Sequence, residues 1–226
     1  MHVNIWEDMS LEYSTEGPVT KVNVGRLTNA IFAFTLLLLF KNIRLPSFSD
    51  TLTETPVEKF GLMQIPDILS FINAFIIIAM FWMVTFHIYH QLKRIDRTYL
   101  YHHFGLLVMI IFIPITSHLY QIFERNAIMS ILFHLNMLII SISLIFEWAH
   151  IKNDRKILIP NCIESKVTCI SRKILYIPLT ATFGIFLSIF DLPLTRNLYY
   201  GTMILFLLDW SLTQKKQKNT SGGERE

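Results

Sequence analysis

The sequence predicts an all-α membrane protein with six transmembrane helices and both termini cytoplasmic, and three observations carry that expectation. The chain of 226 residues is 52% hydrophobic and only 16% charged, well below the roughly 25% charge usual in soluble domains. Its apolar residues gather into stretches of about 20, the length that crosses a hydrocarbon core. Short polar links separate those stretches and leave no room for a separate soluble domain.

Residues 1–20 read as a polar N-terminal tail. His2, Glu7, Asp8, Glu12 and Glu16 stand where a secretory signal needs a basic start. A six-helix domain over residues 21–213 follows, opening with a span at about 26–43. From Leu27 to Phe40 that span has no charge, and only Thr28, Asn29 and Thr35 are polar. Continued to Arg44, it covers roughly 25–30 Å as a helix. Polar residues at its entry and bulky apolar ones in its middle suit a helix that lines something.

A polar link from Leu45 to Gln64 precedes the second span, Pro66 to His90. The basic turn Lys93-Arg94-Ile95-Asp96-Arg97 leads to the third, Tyr99 to Tyr120, which Pro114 should kink. Glu124-Arg125-Asn126 turn the chain into the fourth, Ala127 to Ala149. A longer basic loop, Lys152 to Lys173, leads to the fifth at Ile174 to Phe190, and the sixth covers Asn197 to Leu212. Residues 214–226, basic and then rich in Gly and Ser, read as a disordered tail.

Orientation follows from basic-residue asymmetry. With both termini inside, only Lys41, Arg44, Lys59, Arg125 and Arg196 of the 20 Lys and Arg lie outside. The basic residues sit at helix ends, so they point to a lipid bilayer and not to nucleic acid. Cys162 and Cys169 share a loop placed on the cytoplasmic side, where a disulfide is not expected and two thiols make a poor metal site.

Specific residues of the first three spans follow a known pattern. The run Leu27-Thr28-Asn29-Ala30-Ile31-Phe32-Ala33-Phe34-Thr35-Leu36-Leu37-Leu38-Leu39, closed by Ile43-Arg44-Leu45-Pro46, is joined by Ser70-Phe71, Trp82 with His87, the turn Lys93–Arg97, and Phe112-Ile113-Pro114. Together they resemble the potassium-channel family of transmembrane protein 175, whose prokaryotic members are six-helix chains. Leu27-Thr28-Asn29 replaces the family's Phe-Ser-Asp, and Asn23 stands where its arginine would be. A literal Arg-x-x-x-Phe-Ser-Asp at Arg44, Phe48, Ser49 and Asp50 precedes Thr-Leu-Thr-Glu-Thr-Pro, which is no membrane helix, and reads as coincidence.

The resemblance implies a multi-pass protein of the cell membrane in which four copies, a homotetramer, surround a passive path for potassium ions. Phe34, Leu38 and Lys41 would share the pore face at i, i+4 and i+7, with Leu37 beside them. Rings of Phe34 and Leu38 would form an apolar constriction, and Thr28 and Asn29 would stand at the cytoplasmic entry. Lys41 would either raise a barrier to cations or snorkel to the headgroups. No cofactor is implied.

The residues themselves leave two alternatives open. One is a membrane metalloenzyme: His87, His90, His102, His103 and His150 fall near the inner ends of spans two to four, and Glu147 and His150 have the i, i+3 spacing of di-iron bundles. The other is a non-conducting relative, which the loss of the acidic residue at Asn29 would suit. Asn73, His134, Asn136 and Asp209 are read as interhelical glue, with Asp209 expected to pair with Lys215 or Lys216. No deep carboxylate of the kind that coupled transport needs stands out.

Overall fold

The computed structural model describes residues 20–41, 43, 57–123, 126–154, 157–159, 164–190, 195 and 198–222. Among them the elements are all helical: α1 Lys21–Phe40, α2 Val57–Gln91, α3 Arg97–Ile111, α4 Ile113–Ile122, α5 Ala127–Asn153, α6 Glu164–Ile189 and α7 Leu198–Gly222.

Three helices begin at capping side chains written into the sequence. The Thr20 hydroxyl accepts from the Asn23 amide (3.3 Å). Asp96 accepts from Tyr99 (2.9 Å), and Asn126 from Ile128 (2.9 Å) and Met129 (3.4 Å). Each cap satisfies amides that the first helical turn leaves unpaired. The third span bends as Pro114 predicts. It divides at Phe112 into α3 and α4, with the proline in the first turn of α4, where its missing N–H costs no helical bond.

Among the described residues, five helical stretches are long and apolar enough to cross a membrane: Lys21–Phe40, Gly61–Gln91, Arg97–Ile122, Ala127–Asn153 and Val167–Ile189. The expected sixth is shorter. Its apolar part, Leu198–Asp209, is a 10–17-residue helix that nevertheless buries Tyr199 and Phe206 completely against the bundle. The helix itself runs on to Gly222, past the expected boundary at Leu212.

Two other boundaries differ. The second helix starts at Val57 rather than Pro66, and Pro66 lies inside it. A proline removes one backbone bond and crowds the preceding turn, yet more than 20 residues of apolar helix beyond it hold the element together. The fifth starts at Glu164 rather than Ile174, because its polar first turns have partners: Arg172 forms an ion pair with Asp209 of α7, and Ser171 accepts a hydrogen bond from the Trp148 indole (2.8 Å). Asp209 thus pairs with Arg172; the side chains of Lys215 and Lys216, its expected partners, lie outside the described residues.

α5 is the central post, packed against α3, α4 and α6, while α1 lies against α2, α3 and α4. The continuous core includes Ile77 and Phe81 of α2, Leu106 and Ile110 of α3, and Phe133 and Ile140 of α5. At one end of the bundle the links are tied together. A two-residue bridge joins Leu92 to Leu158, His150 meets Asp96 at 2.8 Å, and the Lys21 ammonium donates to the Leu92 carbonyl (2.5 Å).

Candidate functional site

α1 buries a narrow stripe, Val24, Thr28, Phe32, Thr35 and Leu39, spaced by four, four, three and four residues as one helical face requires. Everything else on it is at least partly open. It is the least buried of the five spans, 28% against 39–50% for the others. Asn29, Phe34, Leu37 and Lys41 are exposed on it, and Leu38 is half-buried. Leu37 is the most open of the apolar ones at 66%, with Phe34 at 51%. The free stripe is thus Phe34, Leu37 and Lys41 at i, i+3 and i+7, with Leu38 at its border, the reverse of the weight the sequence reading gave the two leucines.

The two polar residues expected at the entry part company. Asn29 stays on the exposed side, where its side-chain oxygen accepts from the Trp82 indole N–H of α2 (3.1 Å). Thr28 turns inward and is buried. Its hydroxyl donates to the Val24 carbonyl (2.8 Å) and also lies 2.8 Å from Nε2 of His103 on α3. With the hydroxyl proton given to Val24, the contact with His103 requires Nε2–H to be the donor.

That tautomer fixes the chemistry one step further in. Nδ1 of His103 lies 3.2 Å from Oε2 of Glu147, and both side chains are fully buried. One proton holds this contact, on the imidazole or on the carboxyl. Tyr99 stacks on the His103 ring with centroids 5.2 Å apart. Oε1 of Glu147 has no hydrogen-bond partner among the described residues. Glu147 is therefore a buried intramembrane carboxylate that the sequence reading did not single out as one. It sits six residues before the end of α5, about 9 Å along the helix.

This arrangement separates the residues that a metalloenzyme would need together. Glu147 faces His103, whereas His150 faces Asp96, and Nδ1 of His87 meets its own helix at the Met83 carbonyl (2.5 Å). No group of three or more His, Cys, Asp or Glu able to hold a metal occurs among the described residues. Cys169 is half-buried, its thiol 4.0 Å from Oδ2 of Asp209; Cys162 and the Arg44–Asp50 segment lie outside the described residues. His134 and Asn136 are glue as expected, meeting Tyr199 (3.0 Å) and Thr116 (3.3 Å).

A polytopic helical membrane protein, whose first span joins the bundle by one narrow stripe and leaves a lysine-ended apolar face free, is the class defined by these features. Residues 23–114, from the start of α1 to the proline of the bent span, match the family model described as "Endosomal/lysosomal potassium channel TMEM175". Over that region, rather less than half of its length, the chain is similar to the TMEM175 family. The fold is similar to the crystal structure of a lysosomal potassium-selective channel TMEM175 homolog from Chamaesiphon minutus, with a TM-score of 0.70 at 21% identity, covering 83% of this chain and 96% of that one. A search of curated proteins finds no match.

Proposed function

We propose that the protein is a passive potassium-permeable channel of the cell membrane, assembled from four copies, with α1 of each copy lining the path. One observation carries the reading: the family match begins on the span that is least buried in the bundle among those described, with Phe34 and Leu37 uncovered on it. Rings of such side chains around an axis make a constriction that opens and closes to water, and hence to ions. Asn29 stands nearer the N-terminal entry, held by Trp82. Leu38 flanks the constriction, and Lys41 lies at the opposite end of the helix. Thr28 contributes from behind, anchoring α1 to His103. The basic-residue asymmetry supports placing both termini on the cytoplasmic side.

The test is reconstitution of the purified full chain into liposomes with a potassium gradient. The expected result is dissipation of the gradient without an energy source. Phe34→Ala and Leu37→Ala should each change the flux several-fold, and Lys41→Gln should raise it by removing a cationic ring. Ile128→Ala, at an exposed position of α5, should leave it unchanged. Absence of flux would overturn the channel reading; flux insensitive to Phe34 and Leu37 would overturn the assignment of the pore face.

A further inference from the structure

Between α1 and α2, at the basic end of the bundle, lies a groove of about 300 Å³. We propose that it binds the headgroup and upper acyl chain of an anionic phospholipid. Three observations combine. The first is charge. Arg26 lines the groove beside His90, both are exposed, and none of the lining residues is acidic. Basic pockets between membrane helices are where anionic headgroups settle.

The second is a buried polar atom. The hydroxyl of Thr85, a residue only 1% exposed, lines the groove and has no hydrogen-bond partner among the described residues. A hydroxyl left unpaired in a membrane interior is costly, and a phosphate or glycerol oxygen would satisfy it.

The third is the wall. Trp82 and Phe86 stack at 5.3 Å between centroids, and Phe86 meets His90 edge-on at 4.2 Å. Opposite them Gly25 brings the α1 backbone so close that a Cβ there would lie 2.6 Å from the Tyr89 hydroxyl. A free phosphate would have no use for these aromatic faces, whereas an acyl chain would.

The groove shares Asn29 with the entry of the proposed path but not the apolar constriction. At 100° per residue, the mean direction of Val22, Arg26 and Asn29 lies about 90° around α1 from that of Phe34, Leu37 and Lys41. Lipid binding here thus stands whether or not the protein conducts.

The experiment is native mass spectrometry of the full chain in mild detergent, titrated separately with dioleoylphosphatidylglycerol and dioleoylphosphatidylcholine. The expected result is a preference of about tenfold for phosphatidylglycerol, the worth of one charge-assisted hydrogen bond. Arg26→Gln should abolish that preference and Thr85→Val should weaken it. Arg94→Gln, an exposed basic position of the same end outside the groove, should keep it.

Equal retention of the two lipids by the unaltered protein would overturn the proposal, and that comparison requires no variant to fold. Competition by glycerol 3-phosphate as effective as by the lipid would assign a free-anion site instead. A disulfide between two copies carrying Phe86→Cys would show that a second chain fills the groove, and would equally overturn it.

Discussion

The Thr28, His103 and Glu147 chain of contacts joins three helices through atoms that have no water to fall back on. A buried ion pair or proton-sharing pair gives little net stability, because desolvation offsets most of the attraction, yet removing one partner leaves the other stranded. His103→Ala is expected to destabilise the protein by about 3–5 kcal/mol on that account, and His103→Leu combined with Glu147→Leu by much less. Thermal unfolding in detergent, followed by the loss of a monodisperse species, would show the single variant melting well below the double one. Equal melting of the two would mean that the pair is not closed in the folded protein. The sequence made each of these residues visible as a polar intrusion in an apolar span. It did not pair them, because partners 75 and 44 positions apart are set by helix packing, and a local i, i+3 spacing drew Glu147 toward His150 instead. Asp209 shows the same thing: a lysine one or two turns on is near in sequence, but the partnership with Arg172 of the adjacent helix is made in space.

Helices in a membrane approach most closely where one of them lacks a side chain, and the glycines sort accordingly. Gly184 of α6 lies against the His134 ring of α5, so that an added Cβ would meet ring atoms at 2.5 Å; Gly105 and Gly201 have nothing within 4 Å. His134 is fully buried and tied to Tyr199 (3.0 Å), so its ring has no room to retreat. Gly184→Ala should therefore cost about 1–3 kcal/mol through overpacking. Gly105→Ala should be neutral or stabilise its helix by up to about 1 kcal/mol through helix propensity. The two melting temperatures, compared with that of the unaltered protein, check both signs at once. At this scale the sequence was more legible. Apolar runs gave the helices and Pro114 gave the bend. At the start of α6 composition misled because polarity was satisfied by a neighbour: its first turns look like a loop because they are basic, but Arg172 and Ser171 are held by α7 and α5.

The whole molecule poses a question that a single copy does not answer by itself: what covers the free face of α1? Lipid tails would accept Phe34 and Leu37, but only 28% of this span's apolar stretch is buried while every other span reaches 39–50%, and its buried stripe is one residue wide. A helix bound so narrowly gains most if a symmetric set of copies encloses it, since closed rotational symmetry lets one patch meet its own image around an axis. Four chains of 26.5 kDa would then travel as one particle in detergent, and residues on the enclosed stripe would stand close to their counterparts. Leu37→Cys is the informative position, because it is the most exposed apolar residue of that stripe. Ile128→Cys, 69% exposed on α5, is the control on a face not expected to meet its image. Mild oxidation in native membranes should convert Leu37→Cys into covalent dimers and leave Ile128→Cys monomeric, with light scattering giving a protein mass near four chains. Cross-linking at Ile128 and none at Leu37 would put α1 on the outside, against lipid, and would remove the geometric ground for a path along it.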